Sequence, residues 1–276
     1  MNDTGGPLWH LQRGDSAVIV NVPHAGTELP AEWSAHLTAS ALAVPDTDWH
    51  VEKLYAPLVT PLDITLMWAR QSRIVVDLNR VPGGSELYPG ASNTEVCPSS
   101  TFHEEPVYLP GKAPDERAVE ARVTQYWQPY LAQLCAEIER IRDRHGYCIL
   151  LDGHSIVSEA PRFFAGRLPD LNLGTADVSS CAPSLAVAAF DVLVNAAGFT
   201  AVHNGRFKGG YITRHFGRPQ QGVHALQLEM AQSCYMDEHK PREFDRNRAA
   251  PLGNVLQSLL KVLLAWQPQL GECLKT

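Results

Sequence analysis

No apolar stretch in this chain approaches the roughly 20 residues that span a bilayer, so the sequence predicts no membrane helix. No Cys-x-x-Cys occurs, and the six cysteines (Cys97, Cys135, Cys148, Cys181, Cys234 and Cys273) are widely scattered. That pattern argues against a disulfide framework and for a reducing cytoplasm. The opening Met1-Asn-Asp-Thr-Gly-Gly-Pro7 has neither a basic region nor an apolar one, so no signal peptide is expected, and the expected location is cytoplasmic. There is no long basic run, and the formal net charge is -7, which argues against a nucleic-acid partner. The absence of Gly-x-Gly-x-x-Gly and of a phosphate loop leaves no ready nucleotide site. Ser155 lacks the Gly-x-Ser-x-Gly setting of a nucleophile elbow, which disfavours a serine hydrolase.

What remains is an ordinary globular composition. The 276 residues, 45% hydrophobic, suit one large α/β domain, read here as a single unit over 1–276. Continuous apolar runs at 17–22, 73–78 and 147–152 predict buried strands, with a weaker one at 63–68. Helical spacing runs from Asp48 to Leu58, with Asp46 or Asp48 placed to cap it. The clearest helix covers 114–144, with a kink expected at Pro129 and a stop at Gly146. Residues 82–112 read as a long ordered loop, 184–197 as a helix, 199–202 as a short strand, 223–229 as an alternating strand and 249–266 as a final helix. Alternating strands and helices predict a mixed, mostly parallel sheet covered on both faces.

Two of the apolar runs end on histidine: Ala17-Val-Ile-Val-Asn-Val-Pro-His24 and Tyr147-Cys-Ile-Leu-Leu-Asp-Gly-His154. Open α/β sheets place their ligand crevice at the carboxyl ends of such strands. Two imidazoles delivered there are candidate ligands for one metal ion, which takes three protein ligands in a catalytic zinc site. Glu28, Asp46 and Asp48 are the carboxylate candidates for the third position, and Asp152 is placed to orient His154. Asp77-Leu-Asn-Arg80 ends another apolar run, and its Arg has the forked geometry to grip a carboxylate. The stretch from Arg206 to Arg214 adds cations and backbone amides suited to an anionic substrate. Glu229, at the end of an alternating run, is a candidate proton acceptor.

An ordered set of segments then carries a resemblance. Val22-Pro-His-Ala-Gly-Thr-Glu-Leu-Pro30, Asp46-Thr-Asp-Trp-His-Val-Glu-Lys-Leu-Tyr55, Val76-Asp-Leu-Asn-Arg80, Leu151-Asp-Gly-His-Ser155, Asp170-Leu-Asn-Leu-Gly-Thr175, Gly209-Gly-Tyr-Ile-Thr-Arg214 and Ala225-Leu-Gln-Leu-Glu-Met230 together resemble the N-formylglutamate amidohydrolase family. That family is itself similar to zinc carboxypeptidases and aspartoacylase-type deacylases. The resemblance implies a three-layer α/β/α fold with a divalent metal, most simply Zn2+, at the sheet edge. It implies His24 and His154 as metal ligands, Asn79 and Arg80 as substrate-carboxylate binders and Glu229 as general base. Carboxypeptidase-like sites pair the first His with a Glu three residues on; here position 27 is Thr and Glu stands at 28, so the third ligand departs from that pattern. Asp48, at the start of a helix in a family-like segment, is preferred over Glu28 and Asp46. The implied reaction is hydrolysis of N-formyl-L-glutamate to formate and L-glutamate, as in histidine catabolism, with Arg80, Arg214, Asn79 and Tyr211 holding the substrate. Trp49, Phe207 and Tyr211 are candidates to close the small formyl pocket. The alternatives are a deacylase of another N-acyl amino acid and a non-catalytic binder of an acidic amino acid.

Overall fold

The computed structural model describes residues 7–83 and 94–269. Among these, one seven-stranded sheet runs in the order β1 (Trp9–Gln12), β3 (Thr65–Ala69), β2 (Val18–Val22), β4 (Cys148–Ile156), β7 (Val223–Ala231), β5 (Leu171–Gly174) and β6 (Ala201–His203). All neighbours are parallel except β1 with β3 and β5 with β7. The helices are α1 (Ala31–Ser34), α2 (Ala39–Leu42), α3 (Val51–Val59), α4 (Glu116–Arg122), α5 (Gln128–His145), α6 (Pro183–Val194), α7 (Tyr211–Phe216) and α8 (Arg246–Ala265).

Side-chain alternation along the strands builds two cores. Val18, Val20 and Val22 of β2, with Ile149 and Leu151 of β4, face α3, α6 and α8. Ile19, Cys148 and Leu150 face α5 and α7. A third, small cluster of Phe102, Ile156, Ala160 and Leu168 sits beyond the carboxyl end of β4. The chain leaves β2 for β3 on one side and returns to β4 on the other, so the crevice between β2 and β4 is the switch point where such sheets bind ligands.

The runs 17–22 and 63–68 are strands β2 and β3, and the 223–229 run is β7. Three differences have physical causes. The run 147–152 continues to Ile156, so His154 lies inside β4 rather than beyond it. Residues 73–78 are buried but form a turn, not a strand. The Ser72 hydroxyl accepts the Ile74 amide, and Arg73 pairs with Asp77 four residues on, which an extended backbone does not permit. Hydrophobicity there signalled burial, not strand pairing. The 114–144 helix is split by a π-helical segment, Val123–Trp127, closed by Gln128 N–H donating to Val123 O. The wider turn precedes Pro129, whose ring has no place in a regular α-helix interior. The loop at 82–112 is partly outside the described residues; its described portion includes buried Phe102, Val107 and Tyr108.

Glu137 of α5 ties this helix to the sheet's first edge. Its carboxylate accepts from Arg13 Nη2 at 2.7 Å and from Arg140 Nε at 2.8 Å, and Arg140 also donates to Gly14 O. Burial opposes its ionisation, but the two guanidinium groups hold its pKa below the usual carboxylate value. A carboxyl with a lowered folded pKa stabilises above its unfolded value near pH 4.5 and loses that contribution as pH falls through the folded one. Glu137→Gln is therefore expected to cost about 2 kcal/mol at neutral pH in urea unfolding, with the difference from wild type shrinking below pH 4; a constant difference across that range would refute the assignment.

Candidate active site

The carboxyl ends of β2, β4 and β7 deliver the chemistry to one place. His24 stands two residues past the end of β2, His154 and Asp152 share one side of β4, and Glu229 is the register partner of His154 on β7. Asp48 is brought in by a backbone link, its N–H donating to His24 O at 3.0 Å. It lies two residues before His50, whose left-handed backbone (φ 63°) starts α3. No side chain caps that helix, so neither Asp46 nor Asp48 has the capping role open to it from sequence.

His24, Asp48 and His154 present ligand atoms within 4.8 Å of one another, and all three are buried. Each imidazole is held from behind by a carboxylate. His24 Nε2 is 2.8 Å from Asp77 Oδ1, and His154 Nε2 is 3.0 Å from Asp152 Oδ2. An ionised carboxylate only accepts, so both Nε2 atoms carry protons, and both Nδ1 atoms face the centre. Asn79 Nδ2, 3.1 Å from His154 Nε2, is then a packed neighbour and not a donor to it. His154 Nδ1 lies 2.9 Å from Asp48 Oδ2. His24 Nδ1 and Asp48 Oδ1 are buried with no hydrogen-bond partner among the described residues.

The electrostatics are those of a site short of positive charge. Burial opposes ionisation of Asp48 and Asp77, yet His154 and His24 hold Asp48 low, and Arg73 with His24 holds Asp77 well below the usual range. Burial works against a charged His154, but Asp152 and Asp48 raise its pKa well above the ordinary value. Glu229 differs: burial lifts its carboxyl to about 8. Asp46 is also pushed up, to about 6, by burial, and both of its oxygens accept the Phe102 N–H. Glu28 is half exposed and paired with Arg70. Among the three candidate carboxylates the geometry therefore selects Asp48.

Behind the donor group, hydrogen bonds run back into the fold. Tyr130 of α5 donates to Asn21 Oδ1 at 2.6 Å, and Asn21 donates to Asp152 Oδ1 at 2.7 Å. Gly153, between Asp152 and His154, has no room for a side chain, since a Cβ would stand 2.8 Å from Tyr55 Cε2. Gly210 is constrained likewise by the Asn79 amide, whose Oδ1 accepts the Ile212 N–H.

In front lies a cleft of about 530 Å³, open mouth included. His24, His154, Glu229, Asn79 and Arg80 all line it. Tyr211 and Arg214 do not: the Tyr211 ring lies against Trp127 and His215, and Arg214 Nε is turned to Gly209 O. Trp49 is likewise absent from the lining, whereas Phe207 is present. Sequence reasoning missed Arg73, Gln227, Phe102 and Phe163, which also line the cleft. Arg73 was hidden by the strand reading of 73–78, Gln227 stands in the family-like run 225–230 without being singled out, and Phe102 and Phe163 come from segments with no chemical pattern of their own.

Fold and site together define a three-layer α/β/α protein with a His–Asp–His donor group at the sheet's switch point. A family profile described as N-formylglutamate amidohydrolase matches residues 16–236. N-formylglutamate deformylases of Pseudomonas putida and Pseudomonas aeruginosa are each 42% identical over 256 residues, covering 93% of this chain and 95% and 96% of theirs. The crystal structure of N-formylglutamate amidohydrolase from Ralstonia eutropha JMP134 aligns with a TM-score of 0.77 at 25% identity, over 92% of this chain and 97% of that one. The gene product Atu2144 from Agrobacterium tumefaciens shares the fold, with a TM-score of 0.71 at 19% identity over 94% of this chain and 95% of its own. The chain belongs to the N-formylglutamate amidohydrolase family.

If the carboxylates behind the imidazoles set their orientation, Asp77→Asn weakens divalent-ion binding by about 10- to 100-fold in competition with a chelating dye. Unchanged affinity would remove Asp77 from the site.

Proposed function

We propose that this protein hydrolyses N-formyl-L-glutamate to formate and L-glutamate with a divalent metal, most simply Zn2+, held by His24 Nδ1, Asp48 and His154 Nδ1. The observation that supports the metal is the donor set itself. Two imidazole Nδ1 atoms and a carboxylate converge, and two of the buried atoms, His24 Nδ1 and Asp48 Oδ1, have no hydrogen-bond partner among the described residues. The charge balance agrees: Asp48, Asp77 and Asp152 are buried carboxylates, and Arg73 is the buried cation beside them. With both imidazoles neutral, as metal ligands must be, three negative charges against one positive leave a deficit that a divalent cation matches.

Such an ion would polarise the formyl carbonyl and acidify the attacking water. Glu229 takes that water's proton and returns it to the amide nitrogen as the C–N bond breaks. Its setting suits both steps. Burial makes its carboxyl hold a proton readily, at a pKa of about 8, and a cation on the neighbouring donors brings that value down toward neutrality. Asn79 and Arg80 bind the substrate's α-carboxylate. Asn79 and Arg80 both line the cleft beside His154, and Arg80 is steadied by Thr94 Oγ1 and the Asn79 carbonyl. Asp152 and Asp77 keep both imidazoles in the tautomer that presents Nδ1.

The test is formate release from N-formyl-L-glutamate by wild-type and Glu229→Gln protein. Wild type is expected to turn over, to lose activity to a chelator and to regain it with added zinc. Glu229→Gln is expected to fall by about a thousandfold with its bound metal retained. A base must be unprotonated to act, so wild-type kcat/KM rises with pH through the Glu229 pKa, and the variant lacks that limb. Metal-free protein that binds glutamate without turnover would establish the binding-protein reading instead.

A further inference from the structure

N-formyl-L-glutamate carries two carboxylates, and the Asn79–Arg80 pair accounts for one. We infer that Arg206 binds the side-chain carboxylate and sets the preference for an acidic amino acid; this deepens the deformylase reading and rests on it. Of the cleft's guanidinium groups, Arg73 is committed to Asp77 at 2.6 Å, and Arg80 is joined to Asn79 beside His154. Arg206 enters from another direction, on the loop after β6. Its Nε donates to Phe163 O at 2.7 Å, and its guanidinium carbon lies 5.4 Å from the Phe207 ring centre and 5.9 Å from that of Phe163. Both rings pack on the third cluster, beyond the carboxyl end of β4. A glutamate side chain laid from the scissile amide toward Arg206 therefore has apolar surface for its two methylenes and a cation for its end. The planar guanidinium, pinned through Nε, is suited to forked recognition of a carboxylate.

The loop's position is itself built in. Ala176, Asp177 and Val178 are three consecutive non-glycine residues with positive φ (48°, 55° and 66°). A left-handed turn of such residues costs free energy and persists only where its surroundings enforce it. Here it clamps the Arg206 loop. Ala176 N–H donates to Lys208 O at 2.6 Å, Asp177 pairs with Lys208 Nζ, and Thr175 N–H donates to Asn204 Oδ1. The strain is thus placed where it fixes the residues on either side of Phe207.

Arg206→Gln and Arg206→Lys are compared with wild type on N-formyl-L-glutamate and N-formyl-L-glutamine, which differ only in the side-chain terminus. The expected result for Arg206→Gln is a fall of about 100-fold in kcat/KM for the glutamate substrate, carried mainly by KM. The glutamine substrate is expected to change by less than about threefold, so the preference collapses toward unity. Arg206→Lys, which keeps the charge without the fork, is expected to retain part of the preference. An unchanged glutamate-to-glutamine ratio, or a parallel loss on both substrates, overturns the role of Arg206. Failure of wild type on both substrates with added zinc would instead overturn the deformylase reading.

Discussion

The fold buries three carboxylates, two imidazoles and one guanidinium side by side, and the rest of the structure is arranged around that constraint. Buried like charges repel strongly in a medium of low dielectric, and each must be matched by a partner or a hydrogen bond. The matching groups come from every part of the chain. Asn21 of β2 serves Asp152, Arg73 and the Asn79 backbone N–H serve Asp77, and Tyr130 of α5 serves Asn21. These contacts fix the phase of β2, β4 and α5 relative to one another, because a shift of one residue would turn each polar group into an apolar core.

Much of the donor group was legible in the sequence because strands announce themselves. Apolar runs placed His24 and His154 at one edge of the sheet, and the alternation of 223–229 placed Glu229 beside them. The family resemblance chose Asp48, and geometry supplies the reason: a backbone hydrogen bond to His24 O, while Asp46 is spent on the Phe102 amide and Glu28 on Arg70. The walls of the cleft were less legible. Tyr211 and Arg214 sit in a family-like segment, but α7 carries one toward Trp127 and turns the other onto its own preceding loop. Arg73 reads as part of a buried strand, 73–78, because hydrophobicity reports burial, not whether the backbone is extended.

The two ends of the cleft are built on different principles. Around His154 the polar groups are held by other polar groups within regular strands, so their positions follow from sheet register. Around Arg206 the positions follow from a strained turn and from aromatic packing in a cluster separate from both main cores. Chemistry common to many amide hydrolases thus sits on the rigid sheet, while the part that reads the substrate's identity sits on loops, where substitution disturbs folding least.

The π-helical segment before Pro129 bears on how this chain can change in length. It holds one residue more than an α-helix of the same rise, and the wider turn keeps α4 and α5 in register despite it. Downstream, Trp127 donates to Arg80 O and Tyr130 reaches Asn21; upstream, buried Arg122 donates to Val75 O and Tyr108. In a regular α-helix one extra residue would swing everything beyond it by about 100°, and one of these two sets of contacts would be lost. The wide turn takes the extra residue up locally. A deletion of one residue within 123–127 would therefore leave regular α-helix with both the Arg122 anchor and the support behind the histidines still in register.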